Sequence, residues 1–162
     1  MQKSISVCAA YGAGRLLFCR VVAEDHNWCS QDYADIVHEE LDKLPKGING
    51  LIIFRDNDPK GYDTRKGAQA EKDCGLNVVP LPQRSPNLMP MDYTFHTTVQ
   101  RVLRQQTKDW APGQCETRQQ FKARLLGAYA SLSKETVDKG CAGMAKRLKS
   151  LYECNGDATA KD

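Results

Sequence analysis

One short stretch constrains the fold more than any other. Leu51-Ile52-Ile53-Phe54 is an apolar run that begins after Gly50 and ends in Arg55-Asp56-Asn57-Asp58-Pro59. A run this short, closed by glycine and proline, reads as a buried strand rather than a helix. Asp56 then stands at the strand's carboxyl end, where open α/β sheets place their ligands. A second stretch, Ser85-Pro86-Asn87-Leu88-Met89-Pro90-Met91-Asp92, is a Pro-rich turn that delivers an acid into the start of a helix. Two carboxylates brought from separate elements are what a divalent, oxygen-liganded metal needs. Each stretch also has a plainer reading. Asp, Asn and Pro are turn residues in any case, and an acid in a helix's first turn is favoured by the helix dipole.

The elements around these stretches alternate. Ser4–Ala10 and Arg15–Val22 are β-prone and flank Tyr11-Gly12-Ala13-Gly14, a turn whose two glycines accept positive φ, so a β-hairpin is expected. Tyr33, Ile36, Val37, Leu41 and Leu44 recur at helical spacing after Ser30, the expected N-cap, and Pro45 and Gly47 end that helix. A second helix is expected from Arg65 to Cys74, capped by Asp63 or Thr64, with Gly75 just past its end. Leu76–Leu81 is a further strand, and Met91–Gln106 a helix. Two more helices follow. One runs over 116–132 with Phe121, Leu125, Leu126 and Tyr129 on its apolar stripe. The other is capped by Ser133 and carries Val137, Cys141, Met144, Leu148 and Leu151. Strands with interleaved helices, then helices only, suggest one α/β domain with a helical C-terminal extension.

Charge divides the chain unevenly. Residues 1–98 hold 11 Lys/Arg against 13 Asp/Glu, whereas residues 99–149 hold 11 against 4. A basic second half suits a polyanionic partner, and equally a solvated helical surface. The seven cysteines are odd in number and include no Cys-x-x-Cys, which argues against a disulfide framework or a structural zinc and for reduced, mostly buried thiols. No apolar run approaches the ~20 residues of a membrane span. The N-terminus lacks the charged-then-apolar pattern of a signal peptide, so an intracellular location is expected.

The two acid-bearing stretches, taken together, resemble the catalytic domain of mariner-type transposases of the DDE superfamily. In that family a strand-terminal Asp-Asn-Ala-Pro carries the second catalytic acid, and here Asp56-Asn57-Asp58-Pro59 matches it. The third acid closes a Leu-Pro-x-x-Ser-Pro-Asp-Leu-Asn-Pro-Ile-Glu motif, matched by Leu81-Pro82-Gln83-Arg84-Ser85-Pro86-Asn87-Leu88-Met89-Pro90-Met91-Asp92. The hairpin before them also resembles the family's. Three departures stand out: Asn87 for Asp, Met89 for Asn, and Gly61 where a His is usual. The family's first catalytic Asp lies on a strand before the hairpin. With three residues ahead of the hairpin here, an N-terminally truncated core is expected. Asp25, Asp32 and Asp35 follow the hairpin and are poor substitutes.

The resemblance implies a ribonuclease-H-like mixed sheet with flanking helices over residues 1–108, a helical extension over 109–154 and a tail over 155–162. It implies metal-dependent DNA cleavage and strand transfer, with Asp56 bridging two Mg2+ or Mn2+ ions and Asp92 holding one of them. DNA is the implied partner, and a homodimer or a longer transposase chain would complete the site; no membrane is involved, and a eukaryotic source would place it in the nucleus. Lys60, Arg65, Lys66 and Arg84 lie near the acids in sequence, and Arg101 and Arg104 follow Asp92 on its helix. These six are candidate phosphate contacts, which would bind without reading bases. Asp58 reads as a solvated turn residue, with an accessory acid as the alternative. His96, four residues after Asp92, reads as a coincidence of helix face. A catalytically inactive nucleic-acid-binding module derived from a transposase is the rival expectation.

Overall fold

A computed structural model describes residues 5–22, 27–41, 43, 52–61, 64–82 and 85–155. Two compact units divide the chain. The first comprises residues 1–8 and 20–85, the second residues 9–19 and 86–162. Strands β1 (Ser6–Gly12) and β2 (Arg15–Val22) form an antiparallel hairpin. The turn is a two-residue one, Ala13 and Gly14, at φ 50° and 73°. Both central residues of such a turn need positive φ to match the strand twist, so it is Ala13, not the expected Gly12, that takes the second left-handed position.

In the first unit, helix α1 (Ser30–Ile36) runs into a π-helical turn at Val37–Leu41. Its N-cap is Cys29 rather than Ser30: the Asp32 carboxylate accepts from the Cys29 N–H at 2.8 Å, supplying the cap that a thiol supplies poorly. The expected stop at Pro45 and Gly47 lies outside the described residues. Strand β3 (Ile52–Arg55) pairs in parallel with β4 (Asn77–Pro80), in the register Ile52 to Asn77 and Phe54 to Val79. Between them runs α2 (Arg65–Asp73), capped by Thr64, whose hydroxyl accepts from Gly67 N–H; Gly75 follows at φ 65°. The expectation of a buried β3 fails. Ile52 is 49 % exposed and Phe54 37 % exposed, and the two share one face because alternate residues of a strand point the same way. The unit's buried residues include Tyr33, Ala34, Ile36, Val37, Ala70 and Leu81.

In the second unit a 3-10 turn (Pro86–Leu88) leads to a π-helical turn (Met91–Phe95), then α3 (His96–Gln106), α4 (Arg118–Ala130) and α5 (Lys134–Glu153). Thr117 and Ser133 cap the last two, each accepting from the N–H three residues on. Phe95, Val99, Leu125, Ala128, Tyr129, Val137 and Met144 are buried. The stripe of α5 differs from the expected one. Gly140 is buried and Cys141 exposed, since the Phe95 ring occupies the space a side chain at Gly140 would need; an added Cβ would lie 2.6 Å from Phe95 Cε1. The thiols are also less buried than expected: Cys8 alone is buried, and Cys115, Cys141 and Cys154 are exposed. Among the described residues no helix is long and apolar enough to cross a membrane.

Candidate functional site

Asp56 follows the last residue of β3, and its neighbours on both sides are held. The Leu81 N–H donates to the Arg55 carbonyl at 2.8 Å, and the Leu81 carbonyl accepts from the Asn57 amide. One residue beyond β4 thus brackets the acid with both of its backbone groups. Arg55 is fixed further by Glu71 of α2. Its Nε donates to Glu71 Oε1 at 2.7 Å, and the same oxygen accepts from the Tyr33 hydroxyl of α1 at 2.8 Å. Glu71 is 7 % exposed, on the small-residue face that also carries Gly67 and Ala70. A carboxylate so buried needs these partners. Burial, then the hydrogen bond to Glu71, pushes the Tyr33 phenol well above its usual range, so it stays a donor. Asp56 itself is exposed.

Asp58 is half-buried, and each of its oxygens accepts a hydrogen bond. Trp28 Nε1 donates to its Oδ2 at 2.6 Å, and the Lys60 N–H donates to its Oδ1 at 3.1 Å. Trp28 also accounts for Gly61. A Cβ there would lie 2.3 Å from the indole Nε1, so the glycine that departs from the family's usual His is the residue that admits the indole. Among the candidate cations of this unit, Lys60 and Arg65 are exposed and Lys66 donates to Gln31 Oε1 at 3.1 Å. Arg84 lies outside the described residues, as does Asp25. Asp32 is spent on the α1 cap, and Asp35 accepts from Gln31.

Asp92 lies in the π-helical turn of the second unit and is exposed. Its N–H donates to the Met89 carbonyl at 3.0 Å, and Leu88, Met89 and Pro90 beneath it are buried. The turn is held from α5. Arg147 Nη1 donates to the Asn87 carbonyl at 3.2 Å, and its guanidinium lies 4.3 Å from the centroid of the Tyr93 ring. The Tyr93 hydroxyl in turn donates to the Gly140 carbonyl at 2.5 Å. Asn87, a departure from the family's motif, is thus held here by its backbone.

His96 does more than share a face with Asp92. Burial lowers the imidazole's pKa, and the Asp92 charge works in the opposite direction. Its Nδ1 lies 2.9 Å from the Tyr129 hydroxyl, whose pKa burial pushes up to about 12. The Tyr129 carbonyl accepts from the Tyr11 hydroxyl at 2.7 Å, and the Tyr11 ring stacks on Phe95 at 4.6 Å. The Arg124 guanidinium lies 5.4 Å from the centroid of the Trp110 ring. Arg101 and Arg104 are exposed on α3.

Several of these groups escaped sequence reasoning. Glu71 carried one signal, a charge at i+1 from Ala70 on an otherwise small-residue face. Tyr33 was legible as a stripe residue but its partner was not, and Trp28 and Arg147 carried no signal, because the partners of all three lie 30 to 60 residues away. Among the described residues no three His, Cys, Asp or Glu side chains gather as a metal-binding group. A magnesium-type ion is held by as few as one or two carboxylates, with waters and phosphate oxygens completing its shell.

No protein-family model and no curated protein matches the sequence. Solved structures do match. The catalytic domain of Mos1 mariner transposase aligns at TM-score 0.76 and 17 % identity, over 95 % of this chain and 75 % of that one. The Mos1 transposase catalytic domain with Raltegravir and Mn aligns at TM-score 0.76 and 16 % identity, over 95 % and 76 %. The Mos1 mariner paired-end complex with Mn aligns at TM-score 0.77 and 16 % identity, over 96 % of this chain and 45 % of that one. With an antiparallel hairpin, a parallel strand pair and five helices among its described residues, the chain has the fold of the Mos1 mariner transposase catalytic domain.

Proposed function

We propose that this chain is a transposase-type domain that acts on DNA, with Asp56 and Asp92 as two of the acids of a divalent-metal site. One observation carries the reading. Both motif acids fall on exposed positions of held turns, one at a strand's carboxyl end and one in the first turn of a helix, within a fold that matches the Mos1 catalytic domain over 95 % of the chain. Carboxylates on rigid turns are what a hard metal ion needs, because the ion tolerates little displacement of its ligands. The metal would be Mg2+ or Mn2+, the ions present in the Mos1 structures, and such an ion takes one or two carboxylates with waters and phosphate oxygens as its remaining donors. No reaction step is assigned to this chain alone.

The absence of a three-acid cluster among the described residues favours a second reading, a catalytically inactive DNA-binding module of the same ancestry. Calorimetric titration with Mn2+ separates the two. Binding by the parent chain that disappears in an Asp56→Ala, Asp92→Ala double variant supports the metal-dependent reading. A folded parent that binds duplex DNA and takes up no Mn2+ supports the inactive module. A parent that binds no duplex DNA at low salt, where non-specific association is strongest, overturns both.

A further inference from the structure

We propose that one face of α3 is the surface that holds the DNA backbone, and that the more lysine-rich α5 is not. The inference rests on the DNA-binding reading above and says where in the second unit the partner lies. Thr97, Gln100, Arg101, Arg104, Gln105 and Lys108 are all exposed. Thr97, Gln100, Arg101, Arg104 and Gln105, spaced by three and four, share one helical stripe opposite buried Val99, and Lys108 follows just past the helix end. No acid occurs from Tyr93 to Lys108. Arg101, Arg104 and Lys108 have no carboxylate within ion-pair distance among the described residues, so their charge faces solvent uncompensated.

Helix α5 is the obvious rival, with five cations, and most of them are engaged. Lys134 pairs with Asp138, Lys139 with Glu135 at 2.8 Å, and Lys149 with Glu153 at 3.8 Å. Arg147 is committed to Tyr93 and Asn87. Among the described residues Lys146 is the one α5 cation without such a partner, against three on α3 and just past its end.

The geometry suits phosphates. From Arg101 to Gln105 the helix rises about 6 Å, roughly two phosphate steps of one strand along a duplex axis, and Lys108 lies just past its C-terminal end. Thr and Gln between the cations add neutral hydrogen-bond donors of the kind that contact phosphate oxygens. Base-reading helices present their N-terminal residues to base edges. Here that end is continuous with the π-helical turn, and Asp92 is exposed on it. The stripe thus tracks a backbone that leads to the acid, without reading sequence.

The test is fluorescence anisotropy with a duplex of about 30 base pairs, at salt from about 50 to 200 mM. Two triple variants remove equal charge: Arg101→Gln, Arg104→Gln, Lys108→Gln and Lys134→Gln, Lys139→Gln, Lys149→Gln. Gln keeps helix propensity near that of Arg and Lys, and circular dichroism checks that both variants fold. The α3 variant is expected to bind about tenfold or more weakly, with a salt slope shallower by about three, while the α5 variant changes less than about threefold. Equal losses in the two variants, or a preference of about tenfold for one duplex sequence over its scrambled form, would overturn the inference while leaving the DNA-binding reading intact. No binding by the parent would overturn that reading itself.

Discussion

The two acid-bearing turns are held in different ways. Around Asp56 the supports are polar and converge on charge: Glu71 receives both Arg55 and Tyr33, Asp58 receives the Trp28 indole, and Leu81 brackets the acid with its N–H and carbonyl. Around Asp92 the supports are aromatic and apolar: Leu88 and Met89 are buried beneath the turn, Tyr93 lies under Arg147, and Phe95 fills the space over Gly140. Strand ends leave backbone groups that must find partners, and a buried polar network meets that need while fixing direction. A helical turn satisfies its own backbone, so packing is left to decide how it sits. The difference teaches that the same task, holding a carboxylate still and exposed, takes its supports from whatever the carrying element leaves unsatisfied.

The largest effect should come from breaking the polar side. Glu71→Ala removes the partner of a guanidinium whose side chain is 13 % exposed, and should cost about 3–5 kcal/mol by denaturant unfolding. A loss below about 1 kcal/mol would mean that Arg55 finds solvent, and the comparison would fail on its stronger half. Next come the glycines. Gly61→Ala drives a methyl into the Trp28 indole and Gly140→Ala drives one into the Phe95 ring, and each should cost about 1–3 kcal/mol through overpacking. Trp28→Phe combined with Gly61→Ala should recover part of the first loss, since the smaller ring vacates the indole Nε1 position.

Arg147→Ala should cost only about 1 kcal/mol, the size of a partly exposed cation–π contact, and Arg147→Lys less. If it equalled Glu71→Ala, the aromatic side would be as dependent on charge as the polar one. The smallest effect is on pH. Burial holds the His96 pKa below its ordinary 6.5, so the unfolded chain takes up the proton first as pH falls. The contribution of neutral His96 is therefore whole above about pH 6.5 and is lost progressively below it. A His96→Gln variant should lose less stability than the parent between about pH 7 and pH 5, measured as the shift in thermal midpoint.

Much of this was legible from local pattern. The Ser133 cap, the Gly75 helix stop, the hairpin and the strand before Asp56 each follow from residues within a few positions of one another, where propensity and turn chemistry act. The resemblance of the two motifs to the mariner-type transposases likewise rested on contiguous residues, and the fold bears it out. What pattern could not give was partnership. Cys141 and Gly140 fit the α5 stripe about equally, and Phe95, 45 residues earlier, made the choice. Gly61 looked like a departure from a motif until Trp28 was placed on it. The exposed face of β3 is another such case, since four apolar residues in a row say nothing about whether a layer covers both sides.

The sequence by itself determined the order of the elements, the Ser133 cap, the two acids and the basic excess of the second half, because hydrogen-bond closure and hydrophobic period are local properties. Only the tertiary structure decided which charges are spent. It buried Glu71 against Arg55 and Tyr33, tied Asp58 to Trp28, paired three lysines of α5 with acids of the same helix and left the cations of α3 facing solvent. Whether a charge is compensated depends on what lies within a few ångströms of it, and that distance is set by packing between segments far apart in the chain.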